Sequence, residues 1–150
     1  MIEMRQLIMA IKQKHEKGGI DIYPGAMLSE IDTFEQKIGF PLPDEFRRFY
    51  LLCNGFGCNE DIFNIIPLDG IMEYSDNYGD NWFYFSEYMI NSDIWGLRYL
   101  GDCRYEIFNA THPKIALTSS LTEFLQRFLK GNVFDPGGLY HWHRELGITS

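Results

Sequence analysis

Apolar positions along the chain change period twice, and the changes predict its elements. Leu7, Ile8 and Ile11, with Met4 nearby, fall on one face at helical spacing. Glu3 stands at the start of this first helix and Lys12, Lys14 and Lys17 near its end, as the helix dipole favours, and Gly18-Gly19 stop it. Residues 20–27, with Pro24 and Gly25, read as a connector. A second helix is expected from a Ser29 cap, with Asp32 three positions on as a weak capping box, through Ile31, Phe34 and Ile38 to Gly39. Pro41-Leu42-Pro43 forces extended backbone before each proline. Pro43 suits the first turn of a third helix, with Asp44 and Glu45 at its positive end. Phe46, Phe49, Tyr50 and Cys53 repeat at helical spacing, and Asn54-Gly55 ends that run.

Beyond Gly57 the pattern becomes that of strands. Residues 62–66 (IFNII) and 82–85 (WFYF) are strand candidates rich in β-formers. Residues 94–100 alternate, with Trp95, Leu97 and Tyr99 on one face. Gly101-Asp102 is expected as a two-residue turn into a strand over 103–108, in which Cys103, Tyr105 and Ile107 share a face. Residues 114–117 suggest a last short strand. Helical spacing then returns in Leu121, Phe124, Leu125, Phe128 and Leu129, opened by a Ser120/Glu123 capping box and closed by Gly131. Asp135-Pro136-Gly137-Gly138 reads as a turn, and residues 139–146 as a short helix before Gly147. Helices, a meander of strands and a final helical part predict an α+β fold with a mostly antiparallel sheet, as one domain over residues 1–150.

Composition narrows the function. With 150 residues, 45% hydrophobic and 23% charged, the chain can bury a core without a metal or disulfide. Its net charge of −8 disfavours nucleic acid and anionic membranes as partners. That charge is local. Residues 59–102 hold nine carboxylates and one base, Arg98, while acids and bases balance over the rest. Aromatics (Tyr74, Tyr78, Trp82, Tyr84, Tyr88 and Trp95) are interleaved with those acids. Acids around aromatic anchors suit an interface with a basic protein. A solvated acidic face over buried aromatics is the competing reading. No apolar run is long enough for a membrane span, and the N-terminus lacks the apolar core of a signal peptide. Three cysteines without CxxC spacing fit free thiols in a reducing cytoplasm.

Motifs for catalysis or cofactors are weak. His141-Trp142-His143 would share a face only in a strand, and its surroundings read as helix. Asp76, Tyr78, Asp80 and Glu87 take places in a nominal calcium loop, but Asn81 stands where its glycine belongs and Tyr78 where a ligand belongs. Cys103 and His112 form a conceivable nucleophile–base pair with nothing to bring them together. Glu35, beside Phe34, suits a structural hydrogen bond better than general-acid work, which needs a second placed carboxylate. No dinucleotide, P-loop, zinc-protease or serine-hydrolase motif is present, so no catalytic residue, metal or cofactor is expected.

One string of residues is more specific. Ser29-Glu30-Ile31, Phe34-Glu35, Ile38-Gly39, Leu42-Pro43, Phe46, Phe49-Tyr50 and Asn54-Gly55 together resemble the signature of the SUKH superfamily, the Smi–Knr-type domains. Ser119-Ser120, Phe124-Leu125 and Phe128-Leu129 before Gly131 resemble that family's closing helix, with Leu121 where an aromatic is commoner. The resemblance covers about residues 28–131 and implies helices packed beside a twisted, mainly antiparallel sheet, with no catalytic residues to carry over. It also implies a binding role. Many bacterial members resemble immunity proteins that neutralise the toxin of a polymorphic system, often a nuclease, and a fungal branch regulates cell-wall glucan synthesis. With the charge map, this gives the expectation of a cytoplasmic, non-enzymatic immunity protein, its oligomeric state left open with a monomer slightly favoured. Its cognate toxin, or another basic protein, would meet Asp61, Asp69, Glu73, Asp76, Asp80, Trp82, Glu87, Asp93 and Trp95. A regulatory scaffold is the alternative. A deep pocket with convergent histidines or carboxylates would favour a small-ligand site or an enzyme.

Overall fold

A computed structural model describes residues 3–90 and 92–148. The outermost residues of the expected 1–150 domain, and Asn91, lie outside it. Three helices open the chain: α1 (Met4–His15), α2 (Leu28–Ile38) and α3 (Asp44–Leu52). Seven strands follow or intervene: β1 (Ile20–Pro24), β2 (Cys53–Cys58), β3 (Phe63–Ile65), β4 (Trp82–Tyr88), β5 (Asp93–Gly101), β6 (Arg104–Asn109) and β7 (His112–Thr118). Between β3 and β4 lies the short α4 (Leu68–Met72), and α5 (Leu121–Gly131) and α6 (Leu139–Glu145) come last. The strands form one sheet in chain order, every neighbouring pair antiparallel. The fold is α+β, as the periodicity predicts.

One face of this sheet is packed. Phe56, Phe63, Phe83, Phe85, Trp95 and Leu97 point from the strands into a core shared with Phe34 of α2, Phe46 and Phe49 of α3 and Phe124 and Phe128 of α5. Burying each such side chain stabilises by roughly 1.5–3 kcal/mol. Packing has to hold these helices, because α3 has 9 residues and α2 and α5 have 11, too few to persist alone in water. The opposite face carries Asn64, Trp82, Tyr84, Glu87, Arg98 and Glu106, none of them fully buried. Its one buried ring is Phe108, which lies across Gly96, where an added Cβ would sit 2.8 Å from the ring. Arg98 rests its guanidinium 4.7 Å from the Phe108 centroid.

Two strands and several boundaries differ from the expectation. β1 occupies the presumed connector, and β2 runs straight through Asn54-Gly55. β1 (IDIYP) carries Ile20 and Ile22 but ends in Pro24, which reads as a breaker, and β2 (CNGFGC), without a β-branched residue, looks like a terminator. Gly55 is needed there for another reason: it has φ +91°, and a Cβ would meet the Ile65 carbonyl oxygen at 2.3 Å across the strand pair. α2 begins one residue before Ser29. Its opening donor is satisfied by Glu30, whose carboxylate accepts from the Met27 N–H at 2.9 Å, so neither Ser29 nor Asp32 makes the cap. Pro43 is the residue before α3, not in its first turn. Ser120 does cap α5, its Oγ accepting from the Glu123 N–H at 3.2 Å, while its own N–H turns to Thr118 Oγ1. The β5–β6 turn lies one residue later than expected. Asp102 and Cys103 both take left-handed φ values, and Gly101 pairs with Arg104. Cys103 is therefore an exposed turn residue, not a strand partner of Tyr105.

Candidate functional site

The N-terminal motif residues turn out to hold one another. Glu35, at the end of α2, accepts from the Leu42 N–H at 2.6 Å and from Arg47 Nη2 at 2.9 and 3.0 Å. It thereby ties α2, the Pro-Leu-Pro linker and α3 into one corner. Asn54 Oδ1 accepts from the Leu68 N–H at 2.9 Å and so supplies the first partner of α4. Glu45 was expected only as a charge at a helix start. It is half-buried and anchors the N-terminus of α5. Its carboxylate accepts from Tyr105 Oη at 2.7 Å, Thr122 Oγ1 at 2.5 Å, Ser120 Oγ at 3.3 Å and the Leu121 N–H at 3.1 Å. Burial alone would raise this carboxyl, but those donors outweigh it and hold it below its ordinary value. No local pattern marks Glu45, because its partners lie at least sixty residues away in sequence.

The nine residues expected to face a partner do not share one surface. Asp69 on α4, and Glu73, Asp76 and Asp80 on the connection from α4 to β4, are exposed, and half-buried Trp82 follows them on the unpacked face of the sheet. Trp82 packs on Tyr84 with ring centroids 4.8 Å apart. Glu87 lies on that face too, but at the other end of β4, about 15 Å further on by strand rise. There it accepts from Asn64 Nδ2 at 3.3 Å. Asp61 and Asp93 are half-buried and engaged within the chain. Asp61 Oδ2 accepts from the Val133 N–H at 3.4 Å. Trp95 has to be removed from the set. It is 0% exposed, between Phe63 and Phe124, because alternation along β5 turns it to the packed face. Arg98, the sole base of residues 59–102, is held by Glu106 at 2.6 Å.

A cavity of about 580 Å³ opens where the β6–β7 end of the sheet meets α6. Asp93, Asn109, His112, Tyr140, His143 and Arg144 converge on it, beside Phe134 and Ile148. Asp93 is its organiser. Oδ2 accepts from Tyr140 Oη at 2.5 Å, and Oδ1 accepts from Asn109 Nδ2 at 2.9 Å and from the Ile94 N–H at 3.0 Å. His143 accepts at Nε2 from the Trp95 indole N–H at 3.1 Å. Burial lowers His143 to about 4, so the ring is neutral near pH 7 and its proton sits on Nδ1. Burial and the Asp93 hydrogen bond both raise the Tyr140 phenol, which therefore stays protonated. No pattern along the chain marks this pocket: its residues come from β5, β6, β7 and the C-terminal segment, and only their packing joins them.

The remaining motifs separate. Cys103 and His112 lie at opposite ends of β6, about 20 Å apart by strand rise. Cys53 and Cys58 are buried, with thiols pushed up to about 12 chiefly by that burial. His141 and His143 diverge on α6, His141 accepting at Nδ1 from the Gly137 N–H. Asp76 and Glu87 are split between a turn and a strand. Among the described residues no three His, Cys, Asp or Glu side chains gather as a metal site, and no helix is long and apolar enough to cross a membrane.

A comparison with curated proteins finds no match. A family model does match, over residues 25–127, more than half of the chain and spanning the helix pair with its Glu35 corner, strands β2 to β7 and most of α5. Both the resemblance of the motif residues and the structure they build are thereby accounted for: the chain belongs to the SMI1 / KNR4 family (SUKH-1).

Proposed function

We propose that this protein is a non-enzymatic binding protein of the immunity type, which neutralises a basic toxin in the cytoplasm. The observation that carries the reading is the run of exposed carboxylates Asp69, Glu73, Asp76 and Asp80 leading to Trp82 and Tyr84 on the unpacked sheet face. The one base of residues 59–102, Arg98, is committed to Glu106 and not to this run. Such a surface supplies long-range attraction for a positively charged protein and aromatic contact area once it arrives. Toxins that act on nucleic acid need a positive face for phosphate, which makes a nuclease domain a natural partner. The partner-facing set is accordingly revised to Asp69, Glu73, Asp76, Asp80, Trp82 and Tyr84.

The test is association with the toxin encoded beside this chain's own gene. Changing Asp69, Glu73 and Asp76 to Lys together should slow association at least about tenfold at low salt and flatten its salt dependence. Loss of protection when toxin and variant are co-expressed should follow. Association that is equally fast in the triple variant sinks the electrostatic reading. A wild-type chain that neither binds nor protects against the neighbouring product sinks the immunity reading as a whole.

A further inference from the structure

The cavity between the β6–β7 end of the sheet and α6 has a feature that the protein-binding reading does not use. Its carboxylate is already engaged and several of its donors are not. Asp93, the only anion on the wall among the described residues, has both oxygens engaged by Tyr140, Asn109 and the Ile94 N–H. Asn109 Oδ1 accepts from the Thr111 N–H at 2.9 Å, and His143 Nε2 accepts from Trp95. What remains to face a ligand is the Nδ1–H of His143, the Thr111 hydroxyl, the His112 ring and the Arg144 guanidinium. Arg144 has no ion pair among the described residues. The other walls are apolar. Phe134 stands half exposed against Tyr140, ring centroids 5.3 Å apart, and Ile148 lies behind them. A volume of about 580 Å³ is in the range of small-molecule sites.

We propose that this cavity is a binding site for a small organic carboxylate carried on an apolar or aromatic body. Arg144 and the Nδ1–H of His143 receive the carboxylate, and Phe134, Tyr140 and Ile148 hold the body. A planar guanidinium offers paired donors to a carboxylate, and a neutral histidine adds a donor without a competing charge. The alternative ligand charge is disfavoured by the same accounting. A cation would meet Arg144, and would have to displace the hydrogen bonds that already cover Asp93. The proposal is independent of the toxin reading, because none of its ligand-facing residues belongs to the revised partner set.

Phenylacetate, phenylacetamide and phenethylamine share a ring and differ in the group presented. Titrated into the full chain and followed by amide and indole NMR shifts, phenylacetate should move Asn109, His112, Tyr140 and the Trp95 indole N–H, which reports on His143. Saturation is expected with a Kd of about 1 mM or tighter, and about tenfold weaker binding for the amide. Arg144→Gln, at an exposed position, should weaken the acid about tenfold and leave the amide unchanged. Phe134→Ala, also exposed, should weaken both. Equal binding of acid and amide, tighter binding of the amine, indifference to Arg144→Gln, or no shift in these residues each overturns the proposal.

Discussion

Glu35 and Glu45 in the helical part, and Asp69, Glu73, Asp76 and Asp80 between β3 and β4, are the same functional group in two settings. The first pair is half-buried and saturated with donors from distant elements: Leu42 and Arg47 for Glu35, Tyr105, Ser120, Leu121 and Thr122 for Glu45. The second group is exposed. A carboxylate that already accepts three or four internal hydrogen bonds has little capacity left for another molecule. One without them contributes little to the fold and can be used, or changed, without cost to it. The difference teaches where architecture ends in this domain. The family motif builds a corner and a helix start, and the segment that follows it is free to carry recognition.

Two tryptophans give the contrast its largest test. Trp95→Ala should lose about 3–5 kcal/mol of stability in urea unfolding, since it empties a core position and leaves His143 Nε2 without its donor. Trp82→Ala, on the unpacked face, should lose about 1 kcal/mol or less. Similar losses from the two would erase the distinction between packed and unpacked faces. Next in size is Glu45→Ala, for which about 3 kcal/mol is expected, because Tyr105, Thr122 and the start of α5 lose one common acceptor. The acid side of the stability profile should report the same group. A carboxyl held below the ordinary value of 4.5 adds stability above that pH and loses it as pH falls through the folded value. Glu45→Gln should remove that part of the acid transition.

These cases also show what could be read beforehand. The helices were legible because burial of one face imposes a period, and Phe34, Phe46, Phe49, Phe124 and Phe128 obey it. β2 was hidden because its glycines and Asn54 serve close strand approach and the start of α4, tasks decided by residues well along the chain. Trp95 shows a different failure. Its alternation with Leu97 marked the packed face, yet composition placed it among the acids as a surface aromatic. Of the two signals, the periodic one reports geometry and composition does not. The acidic connection was visible as charge, while the C-terminal cavity was not visible at all.

Protonation separates the interior from the surface more gently. His143 is neutral when folded and lowered to about 4, against 6.5 as a free group. The unfolded chain therefore binds the proton first, and stability falls as pH drops from 6.5 toward 4. His15, buried against Phe128 and also lowered by burial, acts in the same direction. His143 alone should cost about 2 kcal/mol between pH 7 and pH 5, and His15 adds to that loss. Thermal melts at those pH values should show the drop, and His143→Gln should reduce the slope while leaving an acceptor for Trp95. A slope unchanged in that variant would assign the effect elsewhere.

The smallest expected change in stability belongs to the surface carboxylates, and it is the most informative about function. Neutralising Asp69, Glu73 and Asp76 to Asn, Gln and Asn should leave the urea midpoint within about 0.5 kcal/mol of the parent value. Relief of repulsion among like charges could raise it, whereas Glu45→Ala removes one carboxylate and is expected to lower it far more. Stability thus scales with the partners a carboxylate has, not with the number of carboxylates removed. If the triple variant unfolds as easily as the Glu45 variant, the acidic connection is part of the scaffold after all. If it is as stable as the parent and associates slowly with a basic partner, its charge serves something outside the chain. Carboxylates crowded together without internal partners raise the energy of the fold, and a sequence that keeps them there needs a gain elsewhere to offset it.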